Sequence, residues 1–288
     1  MFQPMTSKTA AKFKPTGHRR PVHRPRDYEQ SSLEDINPEL KLIFEKYMAN
    51  YGDKIYVKYD DAYSVAESCI EDVNFTLEEA QLYMWSIRDK FLEEGEYDIE
   101  YCLSTNKQNA GIFLSACYNK VDDKIIIHGL DLPFTHIGYK LAEDKVLLNT
   151  VDGGNMFGGW AKGLVLNSGS ASSLGLASDG VIINYSDVGR RHGSMGGIFV
   201  EYQKSERLGE ECDGILIALT APQRYGWLVM VESVIEDDDA AEMPWLFDYL
   251  DGLRTDIENG VYHSKNEVEF KIRTLLKWGG HESFPRKK

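Results

Sequence analysis

The sequence predicts an α+β protein built around a short right-handed β-solenoid with coils of about 17 residues, flanked by N-terminal and C-terminal helical segments. Two observations predict this fold. Apolar triplets recur between residues 124 and 229, and from the third triplet onward the step is 17 residues. Glycines recur at two further positions of the same period. A repeat of constant length is typical of stacked coils, each of which buries its apolar face only against its neighbours.

The triplets and glycines align coil by coil. The triplets are Ile125–Ile127, Val146–Leu148, Leu164–Leu166, Val181–Ile183, Ile198–Val200 and Ile215–Ile217. One glycine column precedes four of them: Gly163, Gly180, Gly197 and Gly214. The other contains Gly158, Gly175, Gly209 and Gly226, with His192 replacing glycine once. We expect glycine where a corner needs positive φ or where backbones crowd.

Both faces of each strand are apolar, because all three residues of each triplet are apolar. Successive side chains of a strand point to opposite faces, so the first and third residues face one side and the middle residue the other. The middle column is Val165, Ile182, Phe199 and Leu216. We predict that this column is covered from outside by the helix around Trp245 and Leu246, by a helix of the N-terminal cap, or by a second subunit.

The residue after each triplet forms another column. Its members are His128, Asn149, Asn167, Asn184, Glu201 and Ala218. Stacked asparagines satisfy one another's amides along a ladder. We therefore predict a structural asparagine ladder and interpret His128, at its end, as structural rather than catalytic.

Four segments are expected along the chain: a disordered basic arm (1–33), an α-rich cap (34–121), the β-solenoid (122–232), and C-terminal helices with a tail (233–288). In the cap, Asn37 and Pro38 open one helix. The alternation of residues 54–59 predicts a strand. Thr76 and Glu79 form a capping box for a helix over 77–93, and a third helix is expected near 109–118.

After the solenoid, two amphipathic helices are expected over residues 243–258 and 265–277. Pro244 suits the first turn of the first helix, and Gly260 suits its end. The apolar residues assigned to the second helix are Val268, Phe270, Ile272, Leu275 and Leu276.

Charge is distributed unevenly. Residues 1–30 hold seven basic and two acidic residues, a net charge of +5, so the rest of the chain carries −19 of the total of −14. An acidic body disfavours nucleic acid, and we expect contact with such a partner only through the basic arm.

Composition and motifs point away from membranes, metals and cofactors. No apolar run approaches the roughly 20 residues that span a bilayer, and no signal peptide is recognisable, so a soluble cytoplasmic protein is expected. The four cysteines lack zinc-ligand spacing and are interpreted as small buried residues: Cys69, Cys102, Cys117 and Cys212. No GxSxG, P-loop, HExxH or kinase motif is present, which favours a non-catalytic protein.

One column of charged residues is a candidate contact for an anion or a partner. Arg190, Arg207 and Arg224 occupy the same position of three successive coils, after Ser173. Guanidinium groups stacked about 5 Å apart repel one another, so they must be solvated, paired with carboxylates or bound to an anion. A solvated turn, pairing with the acidic run 236–239, and a true anion site all remain open.

The repeat resembles a known family at the segment GLVLNSGSASSLGLASDGVIINYSDVGRRHGSMGGIFVEY. It is similar to the glycine-rich (GXGXG-like) β-helix domain of the glutamate synthase large subunit, a fold that formylmethanofuran dehydrogenase also contains in one of its subunits. The resemblance covers about 105 of the 288 residues. It implies a structural role, since neither family draws catalytic residues from this domain.

The whole layout also resembles proteins of small-genome archaea and bacteria that place a short helical region before such a solenoid. The segments FTLEEAQLYMWSIRDKFLEEG and GIFLSACYNK carry this second resemblance, which implies no particular activity. We expect a non-catalytic scaffold or protein-interaction protein that binds a protein partner or itself. The alternatives are an accessory subunit of a larger metabolic enzyme and an enzyme that acts on an anionic substrate at the arginine column.

Overall fold

The computed structural model describes residues 37–51, 58–92, 105–186, 188–191, 197–201, 214–218, 233–235 and 244–278. It contains a parallel β-solenoid of about four turns, with coils about 18 residues apart and helices before and after it. The predicted α+β class is therefore confirmed. The arm predicted for residues 1–33 lies outside the described ranges. Within those ranges, no helix is long and apolar enough to cross a membrane.

Seven short strands form the main sheet of the solenoid, in the order β1-β2-β3-β5-β7-β8-β9. They are β1 (Ile125–His128), β2 (Val146–Asn149), β3 (Leu164–Asn167), β5 (Val181–Asn184), β7 (Ile198–Glu201), β8 (Ile215–Ala218) and β9 (Ser233–Ile235). β4 (Ala171–Leu174) and β6 (Val188–Arg191) form a second, two-stranded sheet. Every pair is parallel, and the register joins Leu164 to Val181 and Val181 to Ile198, which confirms the 17-residue step.

The two glycine columns have different physical roles. Gly158 and Gly175 adopt φ of 66° and 70°, the left-handed region in which glycine is unstrained. Gly180 does not have positive φ. A Cβ atom at Gly180 would instead lie less than 3.0 Å from the carbonyl oxygen of Gly163 in the neighbouring coil. The column before the triplets is therefore needed for close approach between coils.

The structure corrects the predicted orientation of the strands. The middle residues Val165, Ile182 and Phe199 face the solenoid interior, where they share one apolar cluster with Phe157 and Leu174. From the second triplet onward, the first and third residues face outward and form a second cluster with the C-terminal helices. The prediction that those helices cover the middle column was wrong, although an outer apolar face covered by them is confirmed.

The ladder position explains this orientation. The fourth residue of each strand shares a face with the second, because side chains alternate. The narrow interior thus takes one apolar residue and one self-paired amide from each of β2, β3 and β5. The outer face takes two apolar residues from each of β2, β3, β5, β7 and β8, and two helices supply the area that covers them.

Five helices precede the solenoid in the described part: α1 (Pro38–Tyr51), α2 (Tyr59–Ile70), α3 (Leu77–Ser86), α4 (Asp89–Leu92) and α5 (Thr105–Lys120). Asn37 caps α1 by accepting a 2.9 Å hydrogen bond from the amide of Leu40, as predicted. The capping box of Thr76 and Glu79 is also confirmed. The helix predicted over 77–93 is interrupted by a turn at 87–88, and α5 is longer than the predicted 109–118.

The strand predicted for residues 54–59 does not reach Tyr59, which begins α2. Lys58 before it is extended, and residues 54–57 lie outside the described ranges. Helix α2 was not predicted from the sequence. Its buried residues Ala62, Tyr63, Ala66 and Ile70 follow helical spacing, but short polar residues interrupt the apolar pattern.

Helix α5 closes the N-terminal end of the solenoid. Gly111, Ser115 and Asn119, spaced four residues apart on one helix face, lie against the coil that follows β1. A Cβ atom at Gly111 would collide with the carbonyl oxygen of Thr135. Ser115 and Asn119 exchange hydrogen bonds of 2.8–3.1 Å with backbone groups of the coil: His136 O, Tyr139 N, Lys140 O and Ala142 N. The cap therefore satisfies coil groups that stacking leaves open at this end.

Candidate interaction surface

The arginine column is only partly described. Arg190 lies in β6 and pairs in register with Ser173 of β4, so the two residues occupy neighbouring coils. The structure does not describe the side chain of Arg190. It also does not describe Arg207, Arg224 or the acidic run 236–239. A contact of this column with an anion or a partner thus stays a prediction.

The two described cysteines differ in exposure. Cys117 is buried in α5, and burial raises the pKa of its thiol, so it behaves as a small apolar residue. Cys69 is only partly buried. Across the described residues, no group of three or more histidine, cysteine, aspartate and glutamate side chains is arranged to hold a metal ion.

Two histidines lie fully buried in the first coil. Nδ1 of His128 is 3.0 Å from the hydroxyl of Tyr118, and Nδ1 of His136 is 2.9 Å from the hydroxyl of Thr135. The Nε2 atom of each has no hydrogen-bond partner. Burial lowers the pKa of His128 to about 4 and that of His136 to about 3, so both imidazoles are neutral at pH 7.

The predicted asparagine ladder is present in the interior. Nδ2 of Asn149 donates to Oδ1 of Asn167 over 2.7 Å, and Nδ2 of Asn167 donates to Oδ1 of Asn184 over 2.6 Å. Asn184 in turn donates to Glu201 over 3.1 Å. All four side chains are fully buried. The same amide nitrogens also reach carbonyl oxygens two residues further along the chain, so the ladder holds successive coils and their turns together.

Replacing Asn167 with alanine is expected to lower the free energy of unfolding by about 2–3 kcal/mol, because both neighbouring amides lose a buried partner. Chemical denaturation measures the change. The matched control is Asn50→Ala, which removes an exposed amide bonded to the carbonyl of Lys46 and should change stability by less than about 0.5 kcal/mol. Equal effects in the two variants would contradict a stabilising ladder.

Aromatic and charged residues join the cap to a corner of the solenoid. Tyr59 of α2 lies 6.0 Å from the ring of Trp160, and Tyr139 lies 5.3 Å from that ring. Asp60 pairs with Lys140 at 2.7 Å and accepts a 2.9 Å hydrogen bond from the Tyr139 hydroxyl. These two hydrogen bonds lower the pKa of Asp60. Because the charges here are matched within the chain, this corner serves to dock α2.

The C-terminal helices α6 (Pro244–Glu258) and α7 (Lys265–Trp278) form a hairpin on the outer face of the sheet. Gly260, with φ of 83°, lies in the turn between them as predicted. Their inward residues pack on the first and third positions of the triplets: Leu246, Leu250, Leu253, Ile257, Val268, Ile272, Leu275 and Leu276.

Polar contacts fix the orientation of the hairpin on the sheet. The hydroxyl of Tyr185, which follows β5, donates a 2.7 Å hydrogen bond to the carbonyl of Leu250. The guanidinium of Arg254 lies 4.9 Å from the Tyr185 ring centre. At the other end of the hairpin, the hydroxyl of Tyr262 donates to the carbonyl of Asp144 over 3.1 Å. The hairpin is therefore held in one orientation on the sheet.

Several apolar side chains of the hairpin are exposed to solvent. Among the described residues, seven large apolar side chains are exposed, and four of them lie on the hairpin: Trp245, Val261, Tyr262 and Phe270. Phe270 is 73% exposed, so its assignment to the apolar face of α7 was wrong. The exposure of Phe270 could have been predicted from the spacing. Val268 and Ile272 are four residues apart and share a helix face, whereas Phe270 lies about half a turn from each.

No protein-family model matches the chain, and no curated protein or solved structure does so either. The parallel β-solenoid of about four turns is consistent with a β-helix.

Proposed function

We propose that the protein is a non-catalytic scaffold that presents its C-terminal hairpin to a protein partner. The observation that carries this proposal is the concentration of exposed apolar side chains on the hairpin, described above. Exposed apolar surface that is held rigidly favours association, because burying it releases water and little conformational freedom is lost. The anchoring of the hairpin through Tyr185 and Tyr262 supplies that rigidity.

The buried polar groups support a structural role for the solenoid. The ladder amides bond to one another, and the two described histidines of the first coil are neutral and shielded from water. Groups used in acid–base catalysis need contact with a substrate and a pKa close to the working pH. His128 and His136 have neither property.

Changing Phe270 to aspartate tests the hairpin as the binding surface. We expect a partner captured by the wild-type protein to bind roughly tenfold to thirtyfold more weakly, since a buried aromatic anchor would be replaced by a charge. Stability should change by less than about 0.5 kcal/mol, because most of the Phe270 side chain already lies in water. Affinity capture identifies the partner, titration calorimetry measures its binding, and sedimentation velocity tests whether that partner is a second copy.

The matched control is Leu42→Asp on α1, where the leucine is 66% exposed but lies far from the hairpin in sequence. Leu42→Asp should leave partner binding unchanged. If both variants weaken binding equally, the association is non-specific. If Phe270→Asp binds like wild type, the hairpin is not the surface.

The second candidate is an accessory subunit of a larger metabolic enzyme. It is supported by the resemblance of the glycine-rich repeat to the structural domain of glutamate synthase, together with the parallel β-solenoid. Identification of the captured partner separates the two candidates. A stable, stoichiometric complex with a metabolic enzyme favours the accessory role, and capture of another class of protein favours the scaffold.

A further inference from the structure

The boundary between the helical cap and the first coil contains both buried histidines of that coil. His128, at the end of β1, meets α5 through the hydroxyl of Tyr118. His136 lies under the ring of Tyr59 from α2, with 4.6 Å between the ring centres. Each histidine is fully buried and is contacted by a tyrosine of the cap. Both imidazoles are therefore part of the contact between the cap and the coil.

The surroundings of the imidazoles accept a neutral ring and not a charged one. An imidazolium has two N–H donors and needs two acceptors. Nδ1 of each histidine already meets a hydroxyl, whereas Nε2 of each has no partner. In the imidazolium both nitrogens carry a proton, so the Nε2–H would be buried without an acceptor, which is strongly unfavourable.

Neighbouring charged groups do not compensate for such a proton. The side chains in contact with the His136 ring are Tyr59 of α2 and Thr135 and Tyr139 of its own coil, while Ser115 of α5 donates to the His136 carbonyl. Asp60 is paired with Lys140 and bonded to Tyr139, so its charge is already matched. The groups that face His128 are uncharged: Tyr118 of α5, Phe157, and Asn149 of β2.

We propose that the docking of the helical cap is a proton-sensitive contact: protonation of His128 and His136 releases α2 and α5 from the first coil while the later coils stay stacked. Each imidazole takes up one proton from water when the contact opens. The ladder that joins β2, β3 and β5 uses the amides of Asn149, Asn167 and Asn184, which do not titrate. Acid therefore weakens the cap contact before it weakens the ladder contacts between β2, β3 and β5.

The sign of the pH dependence follows from the two states. In the open state the histidines have an ordinary pKa near 6.5, and in the docked state their pKa values lie at about 4 and about 3. Docking is therefore at full strength above pH 6.5 and is lost as pH falls from 6.5 towards 4. Below pH 6.5, protonation of one histidine lowers the equilibrium constant for docking by up to tenfold for each unit that the pH falls, and protonation of both lowers it by up to a hundredfold.

Hydrogen exchange of the full chain between pH 7 and pH 5, corrected for intrinsic rates, tests the proposal. The opening constant of amides in α5, such as those of Cys117 and Tyr118, should rise with a slope approaching two protons between pH 6 and pH 5. Amides of Val181–Asn184 should show a slope near zero. A slope near zero in α5, or equal slopes in both regions, overturns the proposal.

Asparagine variants show how much of the pH dependence of the α5 opening constant comes from His128 and how much from His136. Asparagine suits position 128, which is in register with Asn149, and it tolerates the positive φ of 64° at position 136. His128→Asn and His136→Asn should each reduce the slope by one proton, and the double variant should abolish it. The control is His263→Asn, since His263 lies 3.0 Å from a carboxylate oxygen of Asp256 and should leave the α5 slope unchanged.

A measurement on the wild-type protein keeps the proposal testable if a variant fails to fold. Proton NMR titration follows the imidazole C–H signals of each histidine. The proposal is supported if the signals of two histidines keep the chemical shifts of a neutral imidazole down to pH 5 in molecules whose α5 amides are still protected from exchange. Titration of His128 and His136 near pH 6.5 with α5 still protected overturns it.

Discussion

Replacing Gly180 with valine is expected to lower the free energy of unfolding by about 4–5 kcal/mol, at the extreme of what single substitutions do. A Cβ atom at this position would lie less than 3.0 Å from the carbonyl oxygen of Gly163, a backbone atom that cannot turn away. The two coils would have to separate, and the parallel pairing of β3 with β5 would be strained. Guanidinium denaturation followed by circular dichroism measures the loss.

The matched control is Gly252→Val in α6. A Cβ atom there would meet nothing within 4 Å, so valine should change stability by less than about 0.5 kcal/mol. An unchanged midpoint for Gly180→Val would contradict the close approach between coils. A large effect in both variants would mean that valine itself, rather than the coil contact, causes the loss.

Replacing Gly111 with valine is expected to separate the cap from the solenoid. A Cβ atom at Gly111 would collide with the carbonyl oxygen of Thr135, and the shift needed to avoid it would pull Ser115 and Asn119 off the coil. We expect a loss of roughly 4 kcal/mol or more, since several backbone hydrogen-bond contacts of the coil end would open together. Differential scanning calorimetry should show the cap melting at a lower temperature than the solenoid.

Hydrogen exchange distinguishes this result from global destabilisation. Amides of α5 should lose protection in Gly111→Val, whereas amides of β3 and β5 should keep most of theirs. Gly252→Val again serves as the control, with protection unchanged in both regions. A single melting transition at the wild-type temperature would contradict the role of Gly111 in docking.

The repeat could be predicted from the sequence because it depends on local and periodic features. Stacked coils place equivalent residues above one another, so triplets, glycines and ladder asparagines recur at the same spacing as the coils themselves. The asparagine column was identified in this way, and the structure confirms its bonds from Asn149 to Asn184. The capping residues Asn37 and Thr76 were likewise predictable, since a helix cap is made by neighbours within four residues.

Helix α2 and the length of α5 were harder to predict. Polar residues interrupt the apolar spacing of α2, and α5 is buried on all sides over residues 108–118, so neither helix shows a simple one-sided apolar stripe in the sequence. The sequence does not distinguish Gly111, Ser115 and Asn119 from other small and polar residues. Their docking role is recognisable only once the coil backbone beside them is known. Their role depends on a partner segment more than 15 residues away in the chain.

The sequence by itself determined the repeat, its register, its ladder and the flanking helices other than α2, because these follow from local spacing along the chain. Only the tertiary structure decided which face of each strand became the interior. A triplet with three apolar residues is compatible with either orientation, and the choice depends on the ladder amide and on the area of the two C-terminal helices. The exposure of Phe270 was decided in the same way, since the sheet can contact only one face of α7 and leaves the opposite face to water.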